Sequence, residues 1–132
     1  MAEASESPGR RRSRLLLATL LVGAGALHFV VPSSYERIVP RFFSDARALV
    51  LVTGVAEVGA GVLLAVPRTR RWGAWLGAGL LVAVFPANVQ MALDGGIAGE
   101  GFPLGSPVVA WLRLPLQVPL VVWALSHTRL YP

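Results

Sequence analysis

Six polar side chains stand inside long apolar runs of this chain: His28, Glu57, Asn88, Gln90, Arg113 and Gln117. An imidazole and a carboxylate can exchange a proton, a guanidinium can hold an anionic or carbonyl oxygen, and amides can both donate and accept at a polar head group. Each is costly in hydrocarbon, so each should face protein. Helical neighbours agree: His28 shares its face with Leu21, Ala24 and Gly25, and Glu57 with Thr53, Gly54, Ala60 and Gly61. Asn88 lies with Phe85 and Met91, and Arg113 with Gln117 one turn on. Gln90 lies across the helix from Asn88 and is set aside.

At about 1.5 Å per residue, His28, Asn88 and Arg113 fall roughly 5 to 8 Å below one membrane boundary, and Glu57 and Gln117 roughly 14 Å below it. The expected ion pair is Glu57 with Arg113, whose levels differ by one helical turn. Pro86, Pro115 and Pro119 each free a carbonyl near the same depth, and the kinks open a pocket or simply bend the helices. Three readings of the cluster stand side by side: hydrogen bonds that fix helix register, a site for a small, partly polar lipophile, and a proton or ion path. No nucleophile has an adjacent base, so no catalytic residue is assigned. One His with one Glu is too few for a metal site, and the second His, His127, sits at the far end of the last apolar run.

The elements that must position these residues are four apolar runs, at about 15–31, 48–66, 72–93 and 108–125, each near the roughly 20 residues that cross a hydrocarbon core. No strand-like alternation accompanies them, so the backbone must satisfy itself as helix. The expected fold is all-α, a four-helix transmembrane bundle of up-down topology. Residues 1–14 (MAEASESPGRRRSR) lack apolar periodicity and read as a disordered basic tail. A signal peptide is the competing reading, given the Ala24, Gly25, Ala26 triplet, but the apolar run continues to Val31 and three more follow. Between the first two runs, Tyr35, Ile38, Val39 and Phe42 recur at helical spacing and Ser33 with Glu36 makes a capping box. This predicts a short interfacial amphipathic helix, bent or ended by Pro40. Gly73 and Gly77 offer a GxxxG face for a homodimer or for packing within the monomer.

Composition supports a lipid solvent: 55% of the 132 residues are hydrophobic, and the mean hydropathy is +0.62. All 12 basic residues are arginine, clustered between the runs rather than interleaved with aromatics, so no nucleic-acid partner is expected. The absence of cysteine excludes disulfides, thiol relays and iron–sulfur ligation by this chain. Eight arginines (10, 11, 12, 14, 68, 70, 71 and 129) lie on one side and three (37, 41 and 47) on the other. The expectation is a multi-pass cell-membrane protein with both termini cytoplasmic.

The stretches ALHFVVPSSYERIVP around His28, TGVAEVGAGVLLAVPRTRR around Glu57, VAVFPANVQMAL around Asn88 and WLRLPLQVPLVVWAL around Arg113 resemble the DoxX-like family of small membrane proteins. The resemblance implies four helices, and its namesakes are membrane subunits linked to thiosulfate:quinone oxidoreductase. It therefore implies a non-catalytic accessory or subunit of a redox-linked system, with a redox-enzyme partner and a quinone as the fitting cofactor. In that reading His28, Glu57, Asn88, Arg113 and Gln117 line a quinone-sized pocket. A small proton-coupled transporter using Glu57, and a purely structural scaffold, are the alternatives.

Overall fold

A computed structural model describes residues 5–129. Six helices follow one another: α1 Pro8–Val30, α2 Pro32–Glu36, α3 Ala46–Ala65, α4 Arg70–Ala83, α5 Phe85–Leu93 and α6 Pro107–Ser126. The described residues are all-α. Four helical segments, Pro8–Val30, Ala46–Ala65, Arg70–Leu93 and Pro107–Ser126, are long and apolar enough to cross a membrane, the mark of a multi-pass membrane protein.

Local chemistry sets the helix ends. Ser7 caps α1 by accepting from the Arg10 amide at 3.3 Å, with Pro8 in the first turn. The helix thus begins within the stretch expected to be a disordered tail, and residues 8–14 are helical; residues 1–4 lie outside the described part. The physical reason is on the buried face, where Arg14 extends the stripe of Leu17, Ala18, Leu21, Gly25 and His28 by one turn. Asp45 caps α3 through the Ala48 amide at 3.0 Å, and Ser106 caps α6 through Val109. The third span is broken between α4 and α5 at Val84, because Pro86 has no N–H to offer the carbonyl one turn earlier. Helix α6 runs unbroken through Pro115 and Pro119.

The interfacial helix is shorter than predicted. It opens at Pro32 with Val31 as its cap and no side-chain cap bond, and closes at Glu36. Ser33 forms no capping box, since Glu36 turns to Arg47, with Nε to Oε1 at 2.8 Å. Ile38 is buried in the turn that follows, whereas Phe42 is 79% exposed, so the four apolar residues do not share one face.

Helix α1 packs along α3, α3 along α4, and α6 against both α4 and α5. Glycines set the spacing. A Cβ on Gly25 would stand 2.8 Å from the Val58 amide nitrogen, and one on Gly54 2.7 Å from the His28 Cβ. Across the α3–α4 hairpin, a Cβ on Gly73 would meet the Ala60 carbonyl at 2.7 Å, and Gly77 faces Leu21. The GxxxG face is therefore spent inside the monomer.

Two apolar clusters form the core. In the half nearer the termini, Leu17, Ala18, Leu21, Ala60, Leu64, Ala74, Ala78 and Ala124 interlock. In the half nearer the long loops, Ile38, Met91, Ala92, Ile97 and Ala110 pack together. The Gly-rich loop 94–106 is folded down to reach this second cluster. Gly96, at φ 101°, closes α5 by giving its amide to Met91, and the Ile97 amide bonds Leu104 at 2.9 Å.

Candidate functional site in the loop half of the bundle

The α1–α3 contact presses His28 against the first turns of α3. Its Nδ1 lies 3.0 Å from the Val50 carbonyl, with the Thr53 hydroxyl at 3.3 Å. A carbonyl only accepts, so Nδ1 carries the hydrogen and Nε2 is left for another partner. That partner is Glu57, with Nε2 to Oε2 at 3.3 Å. A single proton then lies between them, held either by the imidazole or by the carboxyl group.

Asn88 and Gln117 form a second pair. Asn88 Nδ2 donates to Gln117 Oε1 at 3.0 Å, and Gln117 Nε2 donates to the Leu81 carbonyl. Leu81 lies in the last turn of α4, where carbonyls lose their intrahelical partners. The two amides therefore satisfy the α4–α5 break and lock α6 to it. Gln90 bonds Asp94 at the exposed end of α5, away from the cluster.

Arg113 does not meet Glu57. Its Nη1 reaches the Met91 sulfur at 3.3 Å, and among the described residues no carboxylate pairs with it. The expected ion pair fails because Glu57 is already engaged by His28. The five predicted residues divide into an acid–imidazole pair on α1 and α3, an amide pair on α5 and α6, and a guanidinium on α6 that faces a thioether.

Tyr35 stands against the first of these groups, and its place there was missed from sequence. Its ring lies 4.1 Å from the His28 ring, centroid to centroid. Burial pushes its hydroxyl above the ordinary value of 10.0, the Glu57 carboxylate adds to this, and Arg113 opposes it. The phenol thus stands within electrostatic reach of both charged groups. Its position seven residues beyond His28, in the turn that must fold back over the helix ends, was the available signal.

A second polar cluster, unforeseen from sequence, lies at the opposite end of the bundle. Arg14, 2% exposed, is gripped by both Glu6 oxygens at 2.9 and 2.8 Å. Its Nη1 caps α3 by donating to the Leu64 and Ala65 carbonyls at 2.8 and 2.7 Å. Trp123 donates to the Ser13 hydroxyl at 2.8 Å, and that hydroxyl also bonds His127 Nε2 at 3.1 Å, as donor when the Nε2 is unprotonated. Burial holds the His127 imidazole below its ordinary value, Arg10 and Arg14 push the same way, and Glu6 opposes them. A serine beside an imidazole suggests a nucleophile, but the oxygen already carries the indole N–H and the base is weakened.

Neither curated proteins nor solved structures give a match to the chain. A family profile covers residues 17–128, which takes in the last three spans, most of the first, and every residue of the loop-half cluster. By that match the chain belongs to the family described as a domain of unknown function (DUF8561).

Proposed function

We propose that this protein binds a small lipophile by its polar head in the loop half of the bundle. In this reading it serves as a non-catalytic accessory or subunit of a redox-linked membrane system, with both termini cytoplasmic. One observation carries the binding reading: Arg113 holds a positive charge at membrane depth with no carboxylate partner among the described residues, and the Tyr35 phenol lies in its field. A head group that accepts hydrogen bonds would supply what the chain leaves out, and the carbonyl oxygens of a quinone have that chemistry. The redox-linked setting rests on the DoxX-like resemblance, and the orientation on the excess of arginine at the terminal face. Within this site Arg113 and Tyr35 hold the ligand, the His28–Glu57 pair forms the facing wall, and Asn88 with Gln117 keeps α5 and α6 in place.

The test is ligand retention. Protein purified from native membranes in gentle detergent should carry a quinone, extractable and countable by chromatography. Arg113→Gln and Tyr35→Phe should lose it while keeping the wild-type thermal midpoint, whereas Asn88→Ala should lower the midpoint first. A folded wild type that leaves the membrane without quinone would overturn the reading, as would full retention by Arg113→Gln.

A further inference from the structure

At the terminal face, the residues at one helical stripe of α1, Pro8, Arg11, Arg12 and Leu15, line a groove of about 430 Å³ together with Glu6. Arg11 and Arg12 are exposed, and neither has a carboxylate partner among the described residues. Glu6 also lines the groove, but both its oxygens are held by Arg14 on the adjacent, buried stripe. Immediately along the helix the surface turns apolar: Leu15, Leu16 and Leu20 are 37%, 56% and 50% exposed. This stretch lies within a membrane-spanning segment. The groove thus sits at the boundary between water and hydrocarbon, with a cationic end and an apolar end.

From this arrangement we infer that the α1 groove is a binding site for one anionic phospholipid of the adjoining leaflet. Its phosphate pairs with Arg11 and Arg12 by charge-assisted hydrogen bonds. Its acyl chains run along Leu15, Leu16 and Leu20. A diffuse attraction of the whole arginine-rich face to anionic lipid would involve Arg68 and Arg71 equally, since both are exposed at the same end of the bundle. A built site would not. The inference is independent of the ligand proposed for the loop half.

The experiment uses the full chain in nanodiscs of phosphatidylcholine doped with phosphatidylglycerol, and native mass spectrometry counts the phosphatidylglycerol kept on release. Wild type and the Arg68→Gln/Arg71→Gln variant should each keep one molecule. Arg11→Gln/Arg12→Gln, with the same change of net charge, should bind it roughly thirtyfold more weakly, at about fivefold per arginine. The single variants Arg11→Gln and Arg12→Gln should each show part of the loss, which keeps the test decisive if the double variant is unstable. Equal loss in both double variants would overturn the site in favour of diffuse charge, and unchanged retention in Arg11→Gln/Arg12→Gln would place the lipid elsewhere. Competition by soluble glycerol phosphate without displacement by phosphatidylglycerol would reassign the groove to a free phosphate compound and also overturn it.

Discussion

The His28 imidazole is fixed before Glu57 meets it, because the Val50 carbonyl takes the Nδ1 hydrogen and removes one of the two tautomers. What remains is a contact between Nε2 and a carboxyl group, with side chains 8% and 18% exposed, that needs a hydrogen on one partner or the other. Removing either partner leaves the other polar and buried without compensation. The coupling between the two residues should therefore exceed their coupling to Arg113. A double-mutant cycle of His28→Gln and Glu57→Gln, read from unfolding in detergent, should give an interaction of roughly 0.5–3 kcal/mol. The matching cycle of Glu57→Gln and Arg113→Gln should be close to additive. A strong Glu57–Arg113 coupling beside an additive His28–Glu57 cycle would sink this assignment. The polar residues inside the spans were legible in sequence because lipid makes any polar residue conspicuous, whereas Tyr35, outside them, carried no such mark. The pairing of those residues was not legible, because rise per residue gives depth but not which faces of which helices meet.

The same division runs through the helices. Hydropathy alone located four spans to within a few residues, except at the start of α1, where an arginine-rich turn looked too polar to be ordered. Arg14 is buried there because its charge meets Glu6 and two orphan carbonyls of α3, partners that are 8, 50 and 51 residues away in the chain. Spacing did carry a hint, since Arg14 continues the stripe of Leu17, Leu21 and His28. The α2 helix is present between the first two spans but stops short for a related reason: apolar periodicity over Tyr35 to Phe42 cannot foresee that Ile38 will be drawn into the Met91 and Ile97 cluster. Helix contacts lean instead on glycine, and this gives a prediction at the scale of the hairpin. Gly73→Ala would drive a methyl group into the Ala60 carbonyl and force α3 and α4 apart, so it should destabilise the bundle by about 1–3 kcal/mol. Gly79→Ala, on the same helix with nothing within 4 Å of its added carbon, should be neutral or stabilise by up to about 1 kcal/mol. Equal effects of the two substitutions on the thermal midpoint would show that α4 is not held by close approach at Gly73.

Across the whole molecule, the two ends of the bundle are closed by different chemistry. The loop end is tied by ionic and hydrogen bonds between connections, with Ser34 and Arg37 both meeting Glu100, at 2.7 and 3.6 Å, and Arg37 also bonding the Ala98 carbonyl. The terminal end closes the seam between α1 and α6, the first and last spans, through Arg10 on the Ser126 carbonyl and the chain from Trp123 through Ser13 to His127. The folded seam favours a neutral His127, whose Nε2 can accept from the Ser13 hydroxyl. The charged groups around it are Arg10, Arg14 and Glu6, and their net effect with burial is to hold its pKa below the ordinary 6.5. The unfolded chain therefore binds a proton at this residue more readily than the folded one. The stability it contributes is complete above about pH 6.5 and is lost as pH falls below that value toward the folded pKa. The thermal midpoint in detergent should drop by a few degrees on acidification through this window. In His127→Gln, whose amide oxygen can still accept from Ser13 but does not titrate, the drop should shrink. A fall contributed by any other group persists in that variant, so the difference between the two curves isolates the seam. Identical curves would mean that α1 and α6 are held together without regard to the charge on His127.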